Sequence, residues 1–181
     1  FMAGEQIVRV NMNTLTIHLE PVPTRYRFLG GRSLTSRMVW DEVEPGCNPL
    51  SADNKLYLAP GYLSGTGAPC AGRLSVGGKS PLTDGIKESN VGGTAATALA
   101  RLNIRCMVIE GKPVDDSIYV LVIAPDGIRL EKGNALRALS TYQTVAALFN
   151  RYGTNNSIVC IGPAGEARFR AATLAVTEHA G

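Results

Sequence analysis

Apolar and polar positions change rhythm along the chain, and the rhythm predicts its elements. Gln6 to Val10 alternates, and Leu15, Ile17 and Leu19 alternate again across Asn11-Met12-Asn13-Thr14. Period two on both sides of a polar tetrapeptide predicts a hairpin. Pro21 and Pro23 end its second strand, because proline brings no N–H to a ladder. From Gly30-Gly31-Arg32-Ser33 to about Val43 the period lengthens, and Leu34, Met38 and Val39 share one stripe. That predicts a helix packed through the stripe.

A loop at Pro45–Pro49 is followed by a short strand, Lys55 to Ala59. Pro60 to Gly72 carries too many glycines for a helix or a central strand, and predicts an ordered loop whose backbone approaches something closely. Strands are expected at Arg73–Val76, running into Gly77-Gly78, and at Ile86–Asn90. Val91-Gly92-Gly93-Thr94 then leads into a helix of small residues, Ala95 to Leu102, and Arg105 to Glu110 reads as a buried strand. Ser117–Ala124 and Ile128–Lys132 flank Pro125-Asp126-Gly127, a second hairpin signal. Ser140-Thr141-Tyr142-Gln143 is a capping box for a helix to about Tyr152, with Val145, Leu148 and Phe149 as its apolar face and Gly153 as its stop. Ser157–Ile161 is a further strand, Gly162–Gly165 a turn and Arg168–Val176 a last strand.

Strands and helices do not alternate strictly, so the expectation is α+β rather than a doubly wound parallel sheet. The hairpins Ile7–Leu19 and Ser117–Lys132 each precede a helix and a short strand. That hints at an internal duplication within one 181-residue domain, with halves of about 1–90 and 91–181, although the halves share few identical residues. A chain of this length buries about 70% of its unfolded surface. With 45% hydrophobic and 18% charged residues it is not disordered, and with 6% aromatic residues its core is aliphatic.

The net charge of +3 is scattered, which argues against a nucleic-acid interface. No 18-residue apolar stretch suits a membrane. The start lacks a basic and then apolar leader, so the cytoplasm is the expected compartment, and Phe1 before Met2 reads as an addition to the natural start. Cys47, Cys70, Cys106 and Cys160 are widely spaced, which fits reduced thiols better than zinc, with Cys106 and Cys160 expected to be buried.

The catalytic inventory is short. His18 falls on an exposed strand position and His179 near the chain end, and no hydrolase, metalloprotease or nucleotide-loop motif is present. Anion-binding chemistry is better represented. Asn90-Val91-Gly92-Gly93-Thr94 opens a helix, where free N–H groups and bare backbone suit a phosphate. Arg73 follows the glycine loop and can fork onto a phosphate or stack on a planar ring, with Arg32 as a second cation. The competing reading is that these glycines only cap helices and turn strands.

Longer segments now matter. They are Gly30–Leu34, Asp41–Gly46, Asn48–Ser51, Asn54–Leu56, Leu63–Pro69, Gly72-Arg73, Lys79–Thr83, Ser89–Gly93, Ile109–Lys112 and Ile161–Glu166. In this order, over nearly the whole chain, they resemble the start of the aldehyde ferredoxin oxidoreductase family. The resemblance implies two similar β-rich lobes forming a saddle under a tungsten (or molybdenum) bis-pterin. It implies an enzyme that oxidises aldehydes to carboxylates and passes electrons through an iron–sulfur cluster to ferredoxin. It further implies that Arg73 contacts a pterin. Asn90 would offer its backbone carbonyl to the magnesium that bridges the pterin phosphates, with Gly92 and Gly93 beside it.

Departures from the family pattern are also visible. The second magnesium carbonyl falls near Gly181, beside Ala180 where the family has arginine; Tyr62 replaces a proline and Ser64 a threonine. The family's cluster cysteines lie beyond this chain. The expectation is therefore one domain of a longer enzyme, or a shortened product, without turnover of its own. The alternative is a non-catalytic module that binds a pterin, another anion or a partner protein. Isolated, its uncovered face is expected to self-associate.

Overall fold

Asn11 makes the first reversal. Its side-chain oxygen accepts from the N–H groups of Asn13 and Thr14 at 2.9 and 3.2 Å, an Asx turn joining β1 (Gln6–Asn11) to antiparallel β2 (Thr16–Pro21). The computed structural model describes residues 4–178, so His179, Ala180 and Gly181 lie outside the described residues, as do Phe1 and Met2. The chain divides between Val114 and Asp115 into two compact units.

In the first unit, a 3-10 turn at Thr24–Tyr26 precedes α1 (Gly31–Glu42). Then come β3 (Lys55–Pro60), β4 (Leu74–Lys79), β5 (Ile86–Val91), α2 (Ala95–Arg101) and β6 (Ile104–Glu110). The sheet order is β2-β1-β6-β3-β4-β5. β6, arriving after α2, enters between the hairpin and β3, parallel to β1 and antiparallel to β3. The predicted stripe of α1 does its work: Leu34, Met38 and Val39 are 0%, 0% and 3% exposed, against Ile7, Tyr57, Ala59, Cys106 and Val108 of the sheet. Glycine lets the layers approach, since a Cβ at Gly77 of β4 would lie 2.7 Å from the Thr35 Cβ of α1. α2 packs on β3 and β6 and buries Ala95, Ala96 and Leu99.

The second unit holds β7 (Tyr119–Ala124) and β8 (Gly127–Lys132) as a hairpin, then a 3-10 turn at Asn134–Leu136 and α3 (Thr141–Tyr152). The capping box forms as predicted. The Gln143 N–H donates to Ser140 Oγ at 3.3 Å, and Gln143 Oε1 accepts from the Ser140 N–H at 3.0 Å. β9 (Ser157–Cys160), the one-turn α4 (Pro163–Glu166) and β10 (Ala175–Glu178), antiparallel to β9, complete it.

Three local expectations need correction. The turn at Gly162–Gly165 is a helical turn, because Pro163 at its first position pre-sets φ. The strand expected from Arg168 forms only at Ala175–Glu178, after a left-handed Arg168 at φ 56° and turns through Phe169–Ala172. Cys106 is buried as expected, but Cys160 is only partly buried.

The two units share an order: hairpin, 3-10 turn, twelve-residue helix, strand. Thr24, Gly31 and Glu42 each lie 110 residues before Asn134, Thr141 and Tyr152. The same shift aligns the buried Leu34 and Met38 with the buried Thr144 and Leu148.

Candidate functional site

The candidate site is built in the first unit from the loop of residues 61–73. The Gly61 N–H donates to the Arg73 carbonyl at 2.9 Å and closes the loop at its neck. Ser64, 4% exposed, donates its hydroxyl to the Ala71 carbonyl at 2.6 Å. The serine at this position thus keeps the hydroxyl a threonine would bring. Thr66 donates to the Leu63 carbonyl at 2.7 Å and accepts from the Ala68 N–H at 3.2 Å. Gly65, at φ +80°, passes so close to α2 that a Cβ would lie 2.9 Å from the Ala100 Cβ. The loop is ordered by its own hydrogen bonds, as its glycines predicted.

Arg73 emerges from this neck, exposed, one residue before β4. The β4–β5 register pairs Leu74 with Val91 and Ser75 with Asn90, which carries Arg73 alongside Gly92. A Cβ on Gly92 would lie 3.9 Å from Arg73 Nη1, and one on Gly72 would lie 3.2 Å from the Gly93 carbonyl oxygen and 3.3 Å from Thr97 Oγ1. Arg73, Gly92 and Gly93, which are about twenty residues apart in sequence, therefore adjoin. Asn90 sits one pair further down the ladder. Its Oδ1 accepts from the buried Ser75 hydroxyl at 2.9 Å, and its Nδ2 donates to Glu88. The start of α1 joins them, because a Cβ on Gly31 would lie 3.3 Å from Ser75 Oγ.

The second cation behaves differently. Arg32 Nε stands 3.9 Å from Glu88 Oε2, so part of its charge is already answered. α2 is seven residues long, under two turns, and its dipole adds little. What remains for an anion is the Arg73 guanidinium and glycine backbone. Among the described residues no group of three His, Cys, Asp or Glu side chains is placed to hold a metal ion. His18 is exposed on β2, as expected.

Sequence reasoning missed the partner of Tyr62. Arg105 of β6, with only 8% of its side chain exposed, lies 4.4 Å from the Tyr62 ring centroid and pairs with Glu5 at 3.1 Å through Nε. The Tyr62 side chain is thereby pinned at the start of the loop. A cation over an aromatic face is worth about 1–2 kcal/mol when partly desolvated. Tyr62→Leu should therefore speed amide exchange in residues 61–73 roughly tenfold, while Tyr62→Phe, which keeps the ring, should not. Equal exchange in both variants would remove the stack from the argument.

A hollow of about 690 Å³ lies at the other end of α1, lined among others by Asn11, Glu42, Asp53, Lys55 and Glu110. It contains none of the predicted site residues, and Lys55 in its wall pairs with Glu42 and Glu110. We assign it to packing.

The aldehyde ferredoxin oxidoreductase N-terminal domain family matches residues 7–181. The chain belongs to that family. The tungsten-containing aldehyde ferredoxin oxidoreductase of Pyrococcus furiosus is 34% identical over 164 residues, 89% of this chain and 27% of the relative. That of Pyrococcus abyssi is 33% identical over 177 residues, 96% of this chain and 29% of the relative. Among solved structures, the active-site complex BamBC of benzoyl coenzyme A reductase superposes with a TM-score of 0.87 at 25% identity, covering 95% of this chain and 26% of that one. The ordered segments thus identified the family correctly, and the α+β architecture matches a solved fold. The chain spans under a third of the curated relatives it matches. Among the described residues no helix of this family member is long and apolar enough to cross a membrane.

Proposed function

We propose that this chain is the cofactor-binding domain of a longer tungsten-dependent oxidoreductase. Arg73 and the backbone at Asn90, Gly92 and Gly93 would hold a phosphate-bearing pterin. The observation that supports it most is the β4–β5 register, which puts an exposed guanidinium against bare glycine backbone. Such a surface fits a large planar anion: the amides approach closely, and the fork can bond a phosphate or lie on a ring. The metal itself would be held by the cofactor, not by side chains of this domain. When bound, the tungsten (or molybdenum) pterin supplies two-electron chemistry of the kind that turns an aldehyde into a carboxylate. This chain's part is placement and charge. Asn90 would offer its backbone carbonyl to a magnesium ion accompanying the cofactor, while its side chain stays tied to Ser75 and Glu88.

The iron–sulfur cluster, the transfer to ferredoxin and the groups that touch substrate would belong to the rest of the longer protein, in the cytoplasm. The likeness to BamBC, which is described in complex with a dienoyl coenzyme A, shows one fold on enzymes of different substrates. Choice of substrate is therefore expected outside this domain.

Arg73→Ala in the longer protein tests the reading. A charge-assisted hydrogen bond is worth about 1.5–3 kcal/mol, so tungsten and pterin content after purification should fall roughly tenfold or more. Arg73→Lys keeps charge without the fork and should fall between. Parent-like tungsten and pterin content in Arg73→Ala would refute the assignment.

A further inference from the structure

The β4–β5 hairpin turns one row of side chains toward α1. Period two puts Ser75 and Gly77 in that row after Arg73, with Asn90 and Glu88 as their cross-strand partners. α1 lies along the row. A Cβ on its Gly31 would lie 3.3 Å from Ser75 Oγ, and one on Gly77 would lie 2.7 Å from the Thr35 Cβ. The helix thus starts over the Ser75–Asn90 pair and runs away from Arg73.

Arg32 is out of place by the ordinary rules of a helix. It stands in the first turn of α1, where the dipole disfavours a cation, and 74% of its side chain is exposed. Tyr142 takes the corresponding place at the start of α3, so a helix start of this kind needs no guanidinium. The partner of Arg32 is Glu88, but Nε stands 3.9 Å from Oε2, beyond hydrogen-bonding distance. Glu88 is the fixed member of the pair. Its side chain is only 17% exposed, and its other oxygen accepts from Asn90 Nδ2. Asn90 is tied in turn to the buried Ser75 hydroxyl. Arg32 is therefore the member able to leave, and an exposed pair of this kind holds weakly. Helical side chains tilt toward the N-terminus, which here is the Arg73 end of the row.

We propose that Arg32 is a second anion-binding residue of the Arg73 site and that Glu88 is its gate, holding Arg32 aside until an anion with two phosphoryl groups draws it across. This deepens the reading of Arg73 as an anion contact and rests on it. The exchange is favourable because a weak pair without a hydrogen bond is traded for a forked, charge-assisted bond. A single phosphate is served by Arg73 and the glycine backbone alone. A second phosphoryl group reaches the level of Asn90, where Arg32 is rooted, and gives it a partner. While Glu88 answers Arg32, the empty site holds small anions poorly.

Calorimetric titration of inorganic pyrophosphate into the cofactor-free 181-residue chain tests the gate. Physiological salt screens the bare charge of Glu88 beyond about 8 Å. Glu88→Gln keeps an acceptor for Asn90 but releases Arg32, and should tighten pyrophosphate binding about threefold. In an Arg32→Gln background the same change should leave the affinity where it was. In the unaltered chain the Arg32 Nε–H resonance should move with the same midpoint as that of Arg73. Unchanged affinity in Glu88→Gln overturns the proposal, as does a gain that survives Arg32→Gln, which would make Glu88 a bare repelling charge. A stationary Arg32 resonance overturns it too, and so does failure of both the unaltered chain and Glu88→Gln to bind pyrophosphate. Arg73→Ala separates this inference from the reading beneath it. If the coupling of Arg32 to Glu88 persists at full affinity without Arg73, the assignment of Arg73 fails and the gate stands. If Arg73 responds to pyrophosphate while Arg32 does not, the gate fails and Arg73 stands.

Discussion

Glu42→Ala is expected to destabilise the first unit by about 3 kcal/mol, because it opens a partly buried charge network. Glu42 is the last residue of α1, where the helix dipole disfavours a carboxylate. It is accepted there because Arg9 bonds it twice, at 2.9 and 3.2 Å, and Lys55 bonds it at 3.1 Å. Tyr57 Oη donates a weaker bond at 3.4 Å. Glu20 and Glu110 share the same two cations, so the variant leaves Arg9 and Lys55 partly paired. The cost therefore falls at the low end of the range for a broken buried pair.

The network also makes stability depend on pH. Burial alone would push the Glu42 carboxyl up, but the hydrogen bonds and charges of Arg9 and Lys55 outweigh it and hold the group below its ordinary 4.5. The folded carboxylate thus binds a proton less readily than the unfolded one. Its contribution is complete above about 4.5 and is lost as the pH falls through the depressed folded value. Burial, reinforced by the negative charge of Glu42, pushes the Tyr57 hydroxyl and the Cys106 thiol up, so both keep their protons throughout that window. Thermal midpoints of the native protein should drop between pH 6 and 3 more steeply than those of Glu42→Gln. Parallel curves would show that Glu42 carries no linked proton.

Elements were legible where one residue type answers one local need. Asn11 turning a hairpin, Ser140 with Gln143 opening a helix and Leu34 with Met38 marking a buried stripe are requirements met within a few residues. Pairing between distant strands was not legible. β6 follows α2 in sequence, and nothing in its apolar run says that it enters between β1 and β3. The last strand was overextended, because alternation after Arg168 ignores its left-handed backbone. For the candidate site, glycines and an arginine revealed the chemistry, but the β4–β5 register brings Arg73 to Gly92 and Ser75 to Asn90. A short hairpin between two called strands could have yielded that register. The contact of Tyr62 with Arg105 joins a loop to a strand 43 residues away and leaves no local signal.

Gly30→Ala should be the most damaging single-methyl change near the site. Gly30 is extended, at φ −159°, a conformation alanine adopts freely, so backbone strain is not the reason. Space is the reason: its Cβ would lie 2.6 Å from the Tyr62 nitrogen and 2.8 Å from the Tyr62 Cα. Both are backbone atoms, and the segment cannot easily retreat, because the Tyr62 ring is held by Arg105 and Gly61 is bonded to Arg73. Overpacking of this kind costs about 1–3 kcal/mol, and contact with backbone favours the upper end. The displacement would travel through Gly61 to the loop neck and so to Arg73, lowering both the thermal midpoint and cofactor content in the longer protein. Gly46→Ala is the control, with no atom within 4 Å of the added carbon, and should stay within about 0.5 kcal/mol of the parent. The second unit carries Ser140 at the position corresponding to Gly30, so a helix start of this kind tolerates a side chain when its neighbour is not Tyr62. Indistinguishable midpoints for Gly30→Ala and Gly46→Ala would mean that the loop yields at Tyr62. Arg73 would then be held by the sheet register alone.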